Sequence, residues 1–362
     1  MLRMVPLPVP GRIVPRQNWR QTLKMRNALI PLVLLATPLA AQDKPSAPAP
    51  LEIVAAAPKG DWVAIPASDL LVMELAPDAK GRPRRVVIQL MPPPFSQGWI
   101  GNIRKLAAAR FWDGLAVTRV QDNYVAQWGD PDGDDKAKAR ALPAGLAVVP
   151  EQAYVSGSDW EHKSELSAFK REHPEAVPVS QTPSELRRGR ESFIEAQLGR
   201  GDAYAKATGF VEGWPIGADG EIGFWPVHCY GMVGVGRNMS PDTGSGAELY
   251  TVIGHAPRHL DRNIALVGRV IEGIEHLSSL PRGHGPLGTY DKAQGDELVP
   301  IRTIRLGTEV PDLSAYEYLS TGSASFAKYA DARANRRDPF FIRPAGGADI
   351  CNIPVPVRRA AG

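Results

Sequence analysis

Short runs of apolar residues that favour β-strands recur along the chain, separated by turn-forming residues, a pattern typical of β-strands. Residues 61–75 contain WVAI and LLVMEL, and residues 85–90 read RVVIQL. The segment APDAKGRP between these two stretches is rich in turn-forming residues. The pattern therefore predicts a β-hairpin in this part of the chain.

Similar strand patterns return later in the chain, and two segments between strands have the periodicity of helices. The later strands are predicted within residues 228–238, 247–254, 263–270 and 301–306. Trp99, Ile103 and Leu106 recur at spacings of four and three, which predicts an amphipathic helix within residues 96–110. A shorter helix is predicted around residues 273–280.

Residues 136–226 differ in character from the segments on either side, because they carry long charged stretches. We interpret them as an insertion with short helices of its own. One helix has a clear start signal, with Thr182 as the cap, Pro183 at the first helical position and Glu185 completing a capping box.

The two flanks of the strand-rich region have weaker patterns. Residues 42–60 are rich in alanine and proline and are predicted to form an extended linker. Residues 310–362 have little periodicity and are interpreted as a C-terminal extension draped over the surface. Glycine and proline together make up 69 of 362 residues, which favours many turns. The sequence thus predicts an all-β closed barrel over residues 61–309, interrupted by the insertion.

The N-terminal 41 residues have the layout of a secretory signal. They carry six cations and no acid, and the apolar run from Ala28 to Ala36 precedes small residues before Gln42. The run is too short to span a bilayer, so no integral membrane segment is expected after cleavage. Translation could also start at Met25, since the segment from there is a complete signal by itself. We therefore expect an exported protein, most simply a periplasmic one.

Export changes the interpretation of the net charge and of the cysteines. Without the six N-terminal cations the formal charge of +3 becomes −3, which gives no reason to expect nucleic-acid binding. Cys229 and Cys351 are the two cysteines of the chain. In an oxidising compartment they can form a disulfide, and two buried free thiols are the alternative. So few thiols argue against a zinc site.

Several familiar catalytic patterns are absent from the sequence. It contains no Gly-x-Ser-x-Gly, His-Glu-x-x-His, Walker loop or Cys-x-x-Cys. The Gly-x-Gly at residues 234–236 fits a turn better than a nucleotide site. The segment DPDGDD at residues 130–135 resembles the start of a calcium loop, but its glycine is misplaced and the last acidic ligand is missing, so it is interpreted as a solvated acidic turn. His255 and His259 are separated by Pro257, which disfavours a helical metal pair and leaves a loop or groove role.

One segment combines polar and aromatic residues in an unusual way. The stretch FWDGLAVTRVQDNYVAQWGDP at residues 111–131 places Arg119 and Gln127 on predicted strands. It resembles the signature of the cyclophilin-type peptidyl-prolyl isomerases, with Arg119, Tyr124, Val125, Gln127 and the Gly-Asp-Pro triplet in register. The upstream VVIQLMPPPFSQGWIGNIRKLA and the downstream GMVGVGRN and HLDRNIALVGRVIEGIE are similar to further family segments, in the same order.

This resemblance implies a fold and a reaction. The implied fold is an eight-stranded antiparallel barrel capped by two helices, here with a partly helical insertion. The implied reaction is rotation about X–Pro bonds of proline-containing polypeptides, which needs no cofactor and no metal. Arg119 is the implied catalytic residue, because a guanidinium can donate to the prolyl nitrogen once the amide is twisted. The implied substrate-binding residues are Tyr124, Val125, Gln127, Val233, Gly234, Glu248, Tyr250, His259, Leu260 and Ile264.

The chain also departs from the family pattern in its pocket. Glu248 stands where the family has glutamine, Leu249 and Tyr250 replace two phenylalanines, Gly234 replaces an asparagine and Ile264 replaces a histidine. Glu248 could orient Arg119 or tie it up. These departures motivate an alternative function, a non-catalytic peptide-binding module or chaperone on the same barrel. Each site residue also has a simpler interpretation, as ordinary core for the apolar ones and as exposed strand residues for Arg119 and Gln127.

Overall fold

The computed structural model describes residues 47–157, 202–219 and 222–360. Its α-helices are α1 Pro50–Ala55, α2 Gln97–Ala108, α3 Glu275–Ser278 and α4 Ala324–Ala334. Its strands are β1 Trp62–Ile65, β2 Leu70–Leu75, β3 Arg84–Leu90, β4 Ala116–Val120, β5 Val125–Gly129, β6 Ala207–Val211, β7 Trp214–Asp219, β8 Gly223–Pro226, β9 Met232–Val235, β10 Leu249–Val252, β11 Leu266–Glu272, β12 Val299–Leu306, β13 Tyr316–Leu319 and β14 Val357–Arg359.

Eight of these strands close into an antiparallel barrel. The order around the barrel is β10, β5, β4, β12, β2, β3, β11 and β9, and β9 pairs again with β10. The predicted hairpin is confirmed, since β2 and β3 pair from Leu70–Gln89 to Leu75–Arg84. The closed all-β barrel predicted from the strand pattern is therefore confirmed.

The barrel interior is filled by apolar side chains from alternate strand positions and from α2. Met73, Val86 and Ile304 are at most 1% exposed and belong to one continuous core. The predicted amphipathic helix is confirmed as α2, which buries Trp99 and Ile103 in the same core. Since burying such large side chains stabilises a fold by roughly 1.5–3 kcal/mol each, α2 is an integral part of the barrel.

A second sheet lies outside the barrel and corrects three expectations. β13 pairs with β1 and with β14, so β1 belongs to this sheet and not to the predicted hairpin. The C-terminal extension is not merely draped over the surface, because Phe326 and Tyr329 of α4 are buried in the core. The linker prediction is wrong for residues 50–55, which form α1 and contact α4. Apolar residues three and four apart explain why both segments fold as packed helices.

The described end of the insertion is a three-stranded sheet, β6-β7-β8, and not a helix. Strands β6 and β7 are joined by the two-residue turn Glu212-Gly213, which has positive φ at both positions. This is the turn geometry that matches the twist of a hairpin. The helices predicted inside the insertion, including the one starting near Thr182, lie outside the described residues, as does the predicted signal segment.

Cys229 and Cys351 form a disulfide with an S–S distance of 2.04 Å. It connects the segment before β9 to the tail before β14 and so links the barrel to the C-terminal layer. The sequence left the choice between a disulfide and free thiols open, and the structure has the disulfide. Within the described ranges, none of the helices has the length and apolar character needed to cross a membrane.

Candidate active site

The register of four neighbouring strands aligns the predicted polar residues in one row. Arg119 of β4 lies opposite Gln127 of β5, and Gln127 lies opposite Tyr250 of β10. Tyr250 in turn lies opposite Gly234 of β9. Side chains at directly paired positions share one face of a sheet and touch their neighbours. The barrel wall therefore presents these residues as one continuous strip.

Arg119 is half-buried and held by three acceptors. Its Nε donates to the carbonyl of Leu287 at 2.7 Å, and Nη1 donates to Gln127 Oε1 at 3.1 Å. Nη2 donates to Gln121 Oε1. A guanidinium has five N–H donors, so two remain, and they have no acceptor among the described residues. Burial lowers the pKa of Arg119 from its ordinary value, although the group remains a cation at neutral pH.

The carbonyl that holds Arg119 Nε comes from a loop with its own anchor. Leu287 has a φ of 57°, and its side chain is 70% exposed. Asp296 fixes the loop by accepting the backbone N–H groups of His284 and Asp291, at 2.8 and 2.9 Å. These backbone hydrogen bonds lower the pKa of Asp296 to about 2. The loop is thus preorganised to position Arg119.

Glu248 fixes the orientation of the Gln127 amide. Gln127 Nε2 donates to Glu248 Oε1 at 2.5 Å, while its oxygen faces Arg119. Glu248 is exposed, and its side chain packs with its Cβ and Cγ atoms beside Gly129 and with its carboxylate beside Gly236. Burial against this wall raises the pKa of Glu248 despite the hydrogen bond from Gln127. The carboxylate forms no ion pair with Arg119 in the described structure and reaches it only through the Gln127 amide.

An apolar cluster adjoins the polar strip. Tyr250 and the cross-strand pair Val125 and Val252 are buried there, and Tyr124 and Ile264 pack against them at its edge. The Tyr124 ring lies between charged and aromatic neighbours. Arg119 is 5.7 Å from its centroid, and His259 stacks on it at 6.5 Å with a 10° interplanar angle.

The remaining predicted residues occupy different places. Val233 is 1% exposed and belongs to the barrel core, so its side chain does not join the apolar cluster. Leu260 is half-buried in a short 3-10 turn. His255 is exposed, and its N–H donates to Asn123 Oδ1. Asp130 of the acidic turn accepts the backbone N–H groups of residues 132 and 140, as a self-contained turn would.

Three residues that shape this site were missed by sequence reasoning. Gln121 follows a strand and carries no sequence signal of its own. Leu287 acts through its backbone carbonyl, which no side-chain pattern can indicate. His228, which bonds to the Tyr250 hydroxyl at 2.9 Å, is a single histidine in an apolar stretch. From the sequence, His228 could have been noted only as an isolated polar residue beside a predicted strand.

The fold and the family can now be compared with known proteins. The crystal structure of cyclophilin AquaCyp293 from Hirschia baltica matches with a TM-score of 0.56 and 18% identity, covering 83% of this chain and 95% of that one. A cyclophilin-type peptidyl-prolyl cis-trans isomerase from Cryptosporidium parvum, crystallised in the presence of the dipeptide Ala-Pro, matches with a TM-score of 0.33 and 10% identity. This match covers 65% of this chain and 98% of that one. The first likeness shows that the barrel has the cyclophilin fold. No curated protein matches the chain.

The sequence family follows from a match over most of the barrel. Residues 98–305 match the family described as cyclophilin type peptidyl-prolyl cis-trans isomerase/CLD. The match covers more than half of the chain. The chain therefore belongs to the cyclophilin-type peptidyl-prolyl cis-trans isomerases, and its class of activity is isomerisation.

Proposed function

We propose that this protein isomerises X–Pro bonds in exported polypeptides and that Arg119 stabilises the twisted amide. The observation that carries the proposal is the state of the guanidinium. Three acceptors orient it, and its two remaining N–H groups have no acceptor among the described residues. Its Cζ atom lies 5.7 Å from the centroid of Tyr124, which packs against the apolar cluster.

The reaction requires no chemical group beyond a donor that stabilises the twisted amide. Rotation about a peptide bond meets a barrier of about 18–20 kcal/mol, because twisting removes the resonance between nitrogen and carbonyl. The twisted nitrogen regains a lone pair and becomes a hydrogen-bond acceptor. A donor already aimed at that nitrogen interacts with it in the transition state and not in the planar ground state, so it lowers the barrier.

The neighbouring residues supply binding and orientation. Val125, Tyr124 and Tyr250 offer apolar surface for the prolyl ring, and His259 extends the wall through its stacking on Tyr124. Gln127 bonds to both Arg119 and Glu248, so its amide orients the guanidinium. The same amide is placed to contact the backbone of a bound peptide substrate. Glu248 thereby supports Arg119 without neutralising it by direct pairing.

Two features support export as the setting. The N-terminal segment has the layout of a secretory signal, and Cys229 and Cys351 form a disulfide, which persists in oxidising compartments. Fractionation of cells that express the full chain should place the protein outside the cytoplasm with a new N-terminus at Gln42. An uncleaved cytoplasmic protein would overturn this part of the proposal.

The catalytic proposal is tested with a proline-containing peptide and the purified protein. Replacing Arg119 with alanine is expected to lower kcat by about 100-fold or more, the usual cost of losing one preorganised transition-state donor. Arg302 is an exposed arginine on β12, and its replacement by alanine removes the same charge without touching the site. Equal activity of the Arg119→Ala variant and the wild type would refute the proposal. Peptide binding without any turnover in the wild type would instead assign the chain to the non-catalytic alternative.

A further inference from the structure

Behind the proposed proline pocket, the Tyr250 hydroxyl is tied to a buried chain of polar groups. Tyr250 Oη lies 2.9 Å from His228 Nε2, and His228 Nδ1 lies 2.8 Å from Asp261 Oδ1. Tyr250 is 4% exposed, His228 0% and Asp261 2%. Buried polar groups of this kind are retained only when they are paired. Isomerisation itself uses none of their protons.

The charges around Asp261 set the direction of each hydrogen bond. Asp261 also accepts the N–H of His228 at 2.9 Å and Arg258 Nε at 2.6 Å. Burial alone would raise the pKa of Asp261, but the interactions with the His228 ring and with Arg258 outweigh it and lower the pKa. Burial lowers the pKa of His228, so its ring is neutral. The ring therefore donates from Nδ1 to Asp261 and accepts the Tyr250 proton at Nε2.

Arg258 anchors the far end of the chain. It is 3% exposed and donates from both terminal nitrogens to Asp202, at 2.8 and 3.0 Å. A bidentate arginine–carboxylate pair of this type fixes the orientation of the guanidinium better than a single hydrogen bond does. Together with Tyr250, the residues His228, Asp261, Arg258 and Asp202 form what we call the buried network.

The hydroxyl end of the Tyr250 ring is also packed against a glycine. A Cβ atom at Gly234 would lie 2.3 Å from both Cζ and Oη of Tyr250. Such a distance leaves no space for a side chain at position 234 while the ring stays in place. Tyr250 and Gly234 are therefore complementary, and the phenol occupies the space that a larger residue at position 234 would need.

We propose that His228, Asp261 and Arg258 are positioning residues that hold the Tyr250 ring against Gly234 as a fixed wall of the proline pocket. This inference rests on the proposed function, because it assigns a role within the same groove. A fixed apolar wall contacts the prolyl ring equally in the ground state and the transition state. Disturbing the wall should therefore change KM and peptide affinity while leaving kcat nearly unchanged, the reverse of the expected effect of losing Arg119.

The first test removes only the hydroxyl. Tyr250→Phe is expected to raise KM and the dissociation constant of a proline peptide about two- to tenfold, because a ring without its hydrogen bond to His228 is no longer held in place. Its matched control is Tyr230→Phe, which removes an exposed hydroxyl near β9 and should leave both constants unchanged. The binding measurement does not need turnover, so it tests the inference even if the protein proves inactive. An unchanged peptide affinity in Tyr250→Phe would overturn it.

A second test uses the packing against Gly234. Gly234→Ala should weaken peptide binding, because the new methyl group displaces the Tyr250 ring. In the double variant Gly234→Ala/Tyr250→Phe, the fold-loss of peptide affinity should be smaller than the product of the losses in the two single variants. The reason is that a ring without its hydrogen bond to His228 can move away from the new methyl group. Strictly multiplicative effects would contradict the complementarity.

A third measurement reports on the network directly. The ¹⁵N spectrum of the His228 ring is expected to show a neutral ring protonated at Nδ1. Asp261→Asn should shift the proton to Nε2, because the amide can donate to Nδ1, and peptide affinity should fall with it. A wild-type ring protonated at Nε2 would overturn the assignment even if the Asp261 variant failed to fold.

Discussion

Reducing the disulfide tests how strongly the C-terminal layer is tied to the barrel. Cys229 and Cys351 are 122 residues apart in the sequence, so reduction opens a very long loop in the unfolded chain. Loop-closure entropy for about 120 residues amounts to about 5 kcal/mol at 25 °C. We therefore expect the free energy of unfolding to fall by about 3–5 kcal/mol on reduction, since compact denatured states lower the ideal value.

The measurement is a guanidinium titration of the protein with and without dithiothreitol. Trp128 and Trp225 are buried and serve as fluorescence reporters. The control is the double variant Cys229→Ala/Cys351→Ala, which should resemble the reduced wild type and should not respond to dithiothreitol. A loss below about 1 kcal/mol in the reduced wild type would refute the entropic reasoning. A response of the double variant would show that the reductant acts elsewhere.

Three further predictions concern the tail, the Glu248 carboxylate beside the polar strip and the loop that carries Leu287. Phe326→Ala should lower the free energy of unfolding by about 3–5 kcal/mol, whereas Phe340→Ala, at an 84% exposed position, should be nearly neutral in the same denaturant titration. Because the pKa of Glu248 is higher in the folded protein than in the unfolded chain, its ionised form destabilises the fold at every pH above its pKa in the unfolded chain. Glu248→Gln should therefore gain stability relative to the wild type as pH rises from 4 to 7. If denaturant titrations give the same difference in the free energy of unfolding at pH 4 and at pH 7, this prediction is contradicted. Asp296 has a lowered pKa, so its stabilisation is present above pH 4 and is lost between about pH 4 and 2. Asp296→Ala should lower kcat severalfold, since the Leu287 carbonyl no longer fixes Arg119, and an unchanged kcat would show that the loop is not needed.

The barrel and the polar strip were accessible from the sequence for identifiable reasons. Runs of residues that favour β-strands, with a turn-forming segment between them, predicted β2 and β3, and the 3.6-residue period predicted α2. Arg119 and Gln127 were found because their segment resembles a family signature in which spacing along two paired strands is fixed. Their neighbourhood in space follows directly from the register of β4 and β5.

The parts that sequence reasoning missed depend on contacts between distant segments. Strand β13 pairs with β1 and β14, and no local pattern indicates partners so far apart in the chain. His228 and Asp261 are 33 residues apart, and each alone resembles an ordinary polar residue. The helix α4 could have been recognised, because Ser323 caps it and Phe326, Tyr329 and Ala330 share one face. The linker prediction failed because alanine and proline also suit the first turn of a helix.

The insertion and the tail both contribute to the surroundings of Tyr250, because each supplies a carboxylate to Arg258. Asp202 follows directly after the part of the insertion outside the described residues, and Asp349 of the tail lies 3.7 Å from the same guanidinium. Removing one partner from a buried ion pair typically costs about 3–5 kcal/mol, because the remaining charge is left without compensation. Arg258 donates to Asp261, and Asp261 accepts a hydrogen bond from the His228 ring, which in turn bonds to Tyr250. The insertion and the tail are therefore tied to the residues behind Tyr250, and a variant that lacks both should lose stability and, under the proposed function, peptide affinity as well.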